Sequence, residues 1–241
     1  MIVAVFADMH AHAEAFDAVL EATAHADERW SLGDMVGTGP DPEYVVARTR
    51  EHCRVALLGN HDYQLLRLLD QREREPQGER SQRREPAGRV VARDTPANPS
   101  IDLARERLDE DAVAWMRSRK PASRRASVQM WHGGPHNAVH EFVGPRNAPA
   151  CLEKQQEALG LVGHTHVAAA FHDRTRRVRA LPGKPLDISA GKWLLNPGPV
   201  IGVGCWLELD LEARTATWRV ASFDPAPARE RAAALGLKSL P

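Results

Sequence analysis

Apolar residues follow two rhythms along this chain, and the switches between them mark its elements. Ile2 to Ala7 is a continuous apolar run of strand length, as expected of a strand buried on both faces, and it stops at Asp8, Met9 and His10. Glu14 to Ala24 then places Phe16, Val19 and Leu20 at helical spacing, which predicts a return helix. Arg29 to Leu32 leads as a second strand into Gly33, Asp34, Met35, Val36 and Gly37. A second helix is predicted over Pro42 to Glu51, with Asp41 at the cap and Pro42 at the first helical position. The third strand, Cys53 to Leu58, closes on Gly59, Asn60, His61 and Asp62.

The spacing of these strand ends is regular. From Asp8 to Asp34 is 26 positions and from Asp34 to Asn60 is again 26, close to the roughly 30 residues of one strand-helix-strand unit. Three parallel strands therefore present polar side chains along one sheet edge. Residues two apart on an extended backbone point the same way, so Asp8 and His10 share one target.

After Leu69 the pattern breaks. Residues 71–98 are rich in Arg, Glu, Gln and Pro without apolar periodicity, and are expected to form a polar, solvated or mobile insertion. A nucleic-acid arm is the sharper alternative for Gln71 to Arg89, but its Arg residues alternate with Glu and no aromatic lies among them, which argues against stable nucleic-acid binding. Helical pattern resumes at Ile101 to Arg107 and at Asp111 to Arg117. The second half reads as strands: Ser127 to Trp131, Leu159 to Val162, Val167 to Phe171, Trp193 to Leu195, Cys205 to Leu209 and Ala216 to Ala221. With no long helical segments between them, a second mixed or antiparallel sheet follows. The Trp residues at 30, 131, 193, 206 and 218 fit sheet packing. The expectation is an α/β protein with one domain over residues 1–241.

Charge adds little to this picture. Lys plus Arg and Asp plus Glu are 32 each among 241 residues, so no global field draws the chain to nucleic acid or an anionic membrane. Three scattered cysteines, Cys53, Cys151 and Cys205, suit reduced thiols, and no apolar run approaches the roughly 18 residues of a membrane span. A cytoplasmic protein is expected; the sequence does not give its oligomeric state.

The strand-end polar residues are Asp8, His10, Asp34, Asn60, His61, His132, His164 and His166. This mixture of carboxylate, imidazole and carboxamide suits a pair of divalent ions rather than one structural zinc. Two ions about 3.5 to 4 Å apart can orient a phosphoryl oxygen and supply a hydroxide for in-line displacement. One carboxylate must bridge them, and Asp34, central among the three strand ends and flanked by Gly33 and Gly37, is the natural choice.

The ordered blocks Asp8-x-His10, Gly33-Asp34-x-x-Gly37, Gly59-Asn60-His61-Asp62, His132-Gly133 and Gly163-His164-Thr165-His166 resemble the five motifs of the calcineurin-like metallophosphoesterases. The chain is most similar to small bacterial single-domain members related to diadenosine tetraphosphatase. Asn196-Pro197-Gly198 matches a turn of these members. The resemblance implies a four-layer αββα sandwich, two mixed sheets flanked by helices. It implies that Asp8, His10, Asp34 and His166 hold one ion and that Asp34, Asn60, His132 and His164 hold the other. His61 is implied to stabilise or protonate the leaving oxygen, with Asp62 available to orient it. Following Asn60, His61 should point away from the ligand direction. The implied cofactors are two divalent transition-metal ions, manganese first, with iron, zinc, nickel or cobalt also fitting the donor set. The implied activity is hydrolysis of a phosphoester, first a phosphodiester or nucleotide, by a bridging hydroxide. A phosphomonoester, a dinucleoside polyphosphate, a phosphoprotein or a non-catalytic metal-binding scaffold are the alternatives.

The chain departs from the pattern in two places. Ala11-His12 stands where the small relatives have Gly-Asn, and Pro199 stands where they have Ser. His12 is expected either to support or face the site or to lie exposed in a loop. The arginines that clamp phosphate in the protein phosphatases of the superfamily are absent at the matching positions. His136 and His140 follow the His132-Gly133 turn closely enough to line a pocket, or to sit in a solvated loop.

Overall fold

The computed structural model describes residues 1–74, 98–174 and 176–237. Its elements run β1 (Ile2–Phe6), α1 (Ala13–Ala22), β2 (Glu28–Ser31), α2 (Pro42–His52), β3 (Val55–Ala56), α3 (Asn60–Arg74), α4 (Pro99–Arg107), α5 (Glu110–Arg117), β4 (Ala122–Arg125), β5 (Val128–Trp131), α6 (Ala148–Lys154), β6 (Leu159–Leu161), β7 (Ala169–His172), β8 (Arg176–Val178), β9 (Leu186–Asp187), β10 (Trp193–Asn196), β11 (Cys205–Asp210), β12 (Thr215–Val220) and α7 (Ala226–Ala234).

The strands form two mixed sheets, ordered β3-β2-β1-β11-β12-β9 and β4-β5-β6-β10-β7-β8. Alternation along each strand sorts its side chains between two cores. From β1, Val3 and Val5 join Trp30, Leu161, Leu195 and Leu207 in a core between the sheets, while Ala4 and Phe6 pack with Phe16, Val45, Leu65 and Ile101 under the helices. From β10, Trp193 and Leu195 face the first sheet and Leu194 turns outward to Leu152 of α6. Helices outside, two sheets inside: this is the αββα sandwich.

Register sets the site. β1, β2 and β3 are parallel, and Phe6 pairs with Ser31 and Ser31 with Ala56, so the three strands end at one level. In the second sheet Met130 pairs with Leu161 and Leu161 with Leu195, which aligns the ends of β5, β6 and β10 in the same way. Both sheets thus open their carboxyl ends at a shared edge.

Several sequence expectations shift. Of the apolar run Cys53–Leu58 only Val55 and Ala56 enter the ladder, although the Leu57 N–H still donates to the Ser31 carbonyl at 2.9 Å. The tetrapeptide after it begins a helix, α3, and residues 71–74 of the expected insertion extend that helix. Asn98, the last residue of that insertion, caps α4, its Oδ1 accepting from the Ser100 N–H at 3.2 Å. The rest of the expected insertion, residues 75–97, which includes most of the Arg-rich arm, lies outside the described residues. α6, α7, β4, β8 and β9 are further elements. Arg231 of α7 donates to Asp41 and Glu14 at 2.7 to 2.9 Å, tying that helix to the start of α1 and α2. No helix among the described residues is long and apolar enough to cross a membrane.

Candidate metal centre

The loops leaving β1, β2 and β3 interlock through their backbones. The Asp8 N–H donates to the Gly33 carbonyl at 3.0 Å, that of His10 to Asp34 at 2.9 Å and that of Ala11 to Met35 at 2.8 Å. The turn is tight enough to need left-handed backbone at ordinary residues. Asp8, His10, Ala11, Asp34, Thr38, His164 and His166 all have φ between 49° and 65°. Each such residue costs about 1–2 kcal/mol in an L-amino-acid chain, a cost that tends to collect at functional sites.

Five of these residues, with His132 from the end of β5, gather into two donor sets. Asp8, His10 and His166 form one and Asp34, His132 and His164 the other, each with its ligand atoms within 4.8 Å of one another. Asp34 lies between the sets, with Oδ2 3.7 Å from His10 Nε2 and 3.5 Å from His132 Nε2. Asn60, at the first position of α3, brings Oδ1 to 3.0 Å from His132 Nε2.

The backbone fixes the imidazole tautomers. His132 Nδ1 lies 2.9 Å from the Leu32 carbonyl and His10 Nδ1 3.2 Å from that of Val36. A carbonyl only accepts, so each Nδ1 carries the proton and each Nε2 presents a lone pair to the site. His10 Nε2 and His166 Nε2 face each other at 2.9 Å, while Asp8 Oδ2 and His164 Nε2 are buried without a hydrogen-bond partner. Orphaned buried acceptors and converging lone pairs fit divalent cations.

The electrostatics agree. Burial pushes the carboxyl of Asp34 up to about 6 against the pull of His61, and burial with the nearby Asp34 charge raises Asp8 well above the usual carboxylate range. Burial also pushes His132 and His164 down to about 4 and lowers His10 and His166. The imidazoles are thus neutral near pH 7 and ready to ligate.

A family model described as calcineurin-like phosphoesterase matches residues 1–168. The chain belongs to the calcineurin-like phosphoesterase family. As a member, this phosphoesterase is a metal-dependent hydrolase of phosphoesters. It superposes on a metallophosphoesterase from Sphaerobacter thermophilus with a TM-score of 0.82 at 22% identity, covering 99% of this chain and 95% of that one. A hypothetical protein from Pyrococcus horikoshii gives 0.73 at 15% identity, covering 98% and 94%. At these identities the likeness is one of fold. An uncharacterized protein of Methanocaldococcus jannaschii is 36% identical over 67 residues, which span 27% of this chain and 28% of that protein.

Against the sequence expectations, the phosphoesterase brings together Asp8, His10, Asp34, Asn60, His132, His164 and His166. Three neighbours behave differently. His61 does not turn away: its ring meets that of His10 edge-on at 4.8 Å, and its backbone N–H donates to Asp34 Oδ1 at 2.9 Å. It sits beside the donor sets because α3 starts at Asn60, so the two residues follow a helical rather than an extended path. A Cβ at Gly37 would come within 2.5 Å of His61 Nδ1, so only glycine leaves this imidazole its place. Asp62 is not hydrogen-bonded to His61. Its carboxylate accepts the backbone N–H groups of Asp34 and Gly59, both at 2.9 Å, and of Met35 and Val36, both at 3.1 Å. His12 is neither exposed nor turned to the site: it is buried, caps α1 by accepting from the Ala15 N–H at 3.3 Å, and packs edge-on against Phe223.

Asn196 has a role that its motif alone did not reveal. Its Nδ2 donates to the Gly163 carbonyl at 2.7 Å and to Thr165 Oγ1 at 3.1 Å, while Oδ1 accepts from the Gly198 N–H at 2.8 Å. It clamps the turn that presents His164 and His166.

Proposed function

We propose that this phosphoesterase cleaves a phosphodiester or nucleotide with the help of two divalent cations, manganese foremost, both of which Asp34 would help to hold. The position of the Asp34 carboxylate between the two donor sets is the observation that supports it. Asp8, His10 and His166 with Asp34 would hold one cation, and Asn60, His132 and His164 with Asp34 the other. When bound, the cations would supply a nucleophile at neutral pH and neutralise charge on the phosphoryl oxygens.

The chain's own residues do the rest. His61 delivers a proton to the departing oxygen, its ring held in place by Gly37 and His10. A proton donor in this place favours ester substrates whose alkoxide leaves poorly, which is why a diester is preferred over an activated monoester. The amino-terminal end of α3 adds the positive end of a helix dipole beside the phosphoryl group. Asp62 holds the loops of Asp34 and Asn60 together. A cytoplasmic location is part of the same proposal, and the free thiols of Cys53, Cys151 and Cys205 support reducing surroundings.

The test is hydrolysis of bis-p-nitrophenyl phosphate beside p-nitrophenyl phosphate by chelator-stripped protein reloaded with manganese. Metal-dependent turnover of the diester is expected; His61→Ala, with metal content unchanged, should cut turnover of a dialkyl diester roughly 10²- to 10⁴-fold and that of the nitrophenyl diester less, because p-nitrophenolate departs without a proton. Faster turnover of the monoester would move the substrate class. No turnover with metal stoichiometrically bound would sink the proposal.

A further inference from the structure

We infer that Phe142 is a stacking platform beside the metal centre, made to hold the aromatic ring of the phosphoester substrate, a nucleobase or an aryl group. The inference rests on the phosphohydrolase reading above, which places the reacting phosphorus at the donor sets that include His164.

Phe142 lies in the loop after β5. One face of its ring packs on the His164 imidazole, with centroids 4.0 Å apart and planes tilted by 36°. The rest of the side chain is open, since Phe142 is 66% exposed, the most exposed large hydrophobic residue among the described residues. A phenyl ring that served only to shield His164 from water would be covered by neighbours on its outer side. Here one face is bound and the other is free, which is the arrangement that lets a third ring extend the stack. Val167, directly after His166, is also exposed.

The loop holds the ring out by construction. Glu141, one residue before, accepts from the His136 N–H at 2.8 Å, the Asn137 N–H at 3.3 Å and Asn147 Nδ2 at 3.1 Å, and lies 3.2 Å from Cys151 Sγ. Val143, one residue after, is only 5% exposed. Asn147 Nδ2 also donates to the Phe142 carbonyl at 3.2 Å, and Asn137 Oδ1 accepts from the Val139 and His140 N–H groups at 3.1 and 3.0 Å. With both neighbours fixed inward, the side chain between them is fixed outward, over His164. A platform already in place loses little freedom when a ring settles on it. Stacking of a base on an aromatic side chain tolerates any base, so this residue would select for an aromatic group without reading its identity.

The experiment compares ligands that share a phosphate and differ in a ring. Adenosine 5′-monophosphate and ribose 5-phosphate, and separately phenyl phosphate and methyl phosphate, are titrated calorimetrically into manganese-loaded protein. All titrations use the His61→Ala background, where turnover is slow. The ring-bearing member of at least one pair is expected to bind roughly tenfold tighter or more. That advantage should collapse toward one in Phe142→Ala and return in Phe142→Trp, with affinity for the ringless phosphate and the metal stoichiometry unmoved. Which pair shows it tells a nucleobase from an aryl ester. Equal binding within both pairs would overturn the inference. So would a Phe142→Ala protein that loses affinity for both members and binds less metal, because the ring would then only position His164. Failure of the parent reading looks different: wild-type protein that binds metal but turns over neither nitrophenyl ester and binds none of the four phosphates.

Discussion

Replacing Asp62 by Asn separates two accounts of this residue. If Asp62 oriented His61, the substitution would lower turnover and leave the fold alone. The structure instead shows its two oxygens accepting four backbone N–H groups from the loops that carry Asp34 and Asn60. It stands at the third position of α3, where accepting the N–H of Gly59 is half of a capping box and the negative charge complements the helix dipole. An asparagine keeps one oxygen and turns an NH₂ group toward at least two of these donors. Hydrogen bonds to a charged acceptor contribute about 1.5–3 kcal/mol each, so losing two would cost about 3–6 kcal/mol. Burial already pushes the Asp62 carboxyl up to about 7, with Asp34 adding to it, and a neutral amide escapes that penalty. The lower end, about 3 kcal/mol, is therefore expected. For a chain of this size that corresponds to a melting temperature lower by about 6–12 °C. Denaturant unfolding of the metal-free Asp62→Asn protein measures the free energy directly, and metal content should fall with it because Asp34 loses its support. An Asp62→Asn protein that unfolds like the parent and binds metal fully, yet loses turnover, would refute the reasoning.

Two further outcomes are expected. A Cβ at residue 59 would overlap Asp34 Oδ1, so Gly59→Ala should displace the Asp34 carboxylate and reduce bound metal by about one ion or more per chain, read by metal analysis after gel filtration; full occupancy would count against the proposal that Asp34 is shared by two cations. In the metal-free protein His132 and His164, pushed down to about 4 by burial, should stay neutral to about pH 5, while Asp34, pushed up to about 6, keeps its proton below that pH. Because the raised pKa belongs to the metal-free state, it is the carboxyl proton that must leave as metal binds, and acidification below about pH 6 weakens loading through Asp34 rather than through the imidazoles. Histidine ring resonances followed by NMR across pH 4 to 8 test this, and site histidines titrating at the ordinary value near 6.5 would contradict it.

The donor set was legible because strand ends carry it. The continuous apolar run Ile2–Ala7 closing on Asp8 states both the strand and the edge, and the equal spacing of the first three ends implies parallel order. What was not legible depends on where backbone polar groups find partners. Gly59-Asn60-His61-Asp62 reads as a loop after a strand because the decisive fact, an Asp62 carboxylate reaching back to N–H groups of residues 34 to 36, links segments nearly thirty positions apart. The same lack of local signal hides α3 and, with it, the inward place of His61. The buried place of His12 is hidden in the sequence because nothing nearby announces that Phe223, from beyond the last strand, covers it. Phe142 drew no attention as one aromatic in a polar loop; only its contact with His164 gives it meaning.

The division of the donors between the two sheets also has a kinetic side. Asp8, His10, Asp34 and Asn60 follow strands of one sheet, His132, His164 and His166 strands of the other, and His10 and His166, in contact at 2.9 Å, are 156 positions apart in the chain. Such contacts close late, after the loops between them have been ordered. No fragment ending before β6 can bring all these donors together, so cations held by them would bind after the sheets have docked. Their binding energy is then missing from the folding transition state and appears in the unfolding rate. At a concentration 100 times the dissociation constant a single bound ion contributes about 2.7 kcal/mol, which would slow unfolding on the order of 100-fold while leaving the folding rate nearly as it was. The metals would act as a latch on a finished molecule and not as a nucleus for making it.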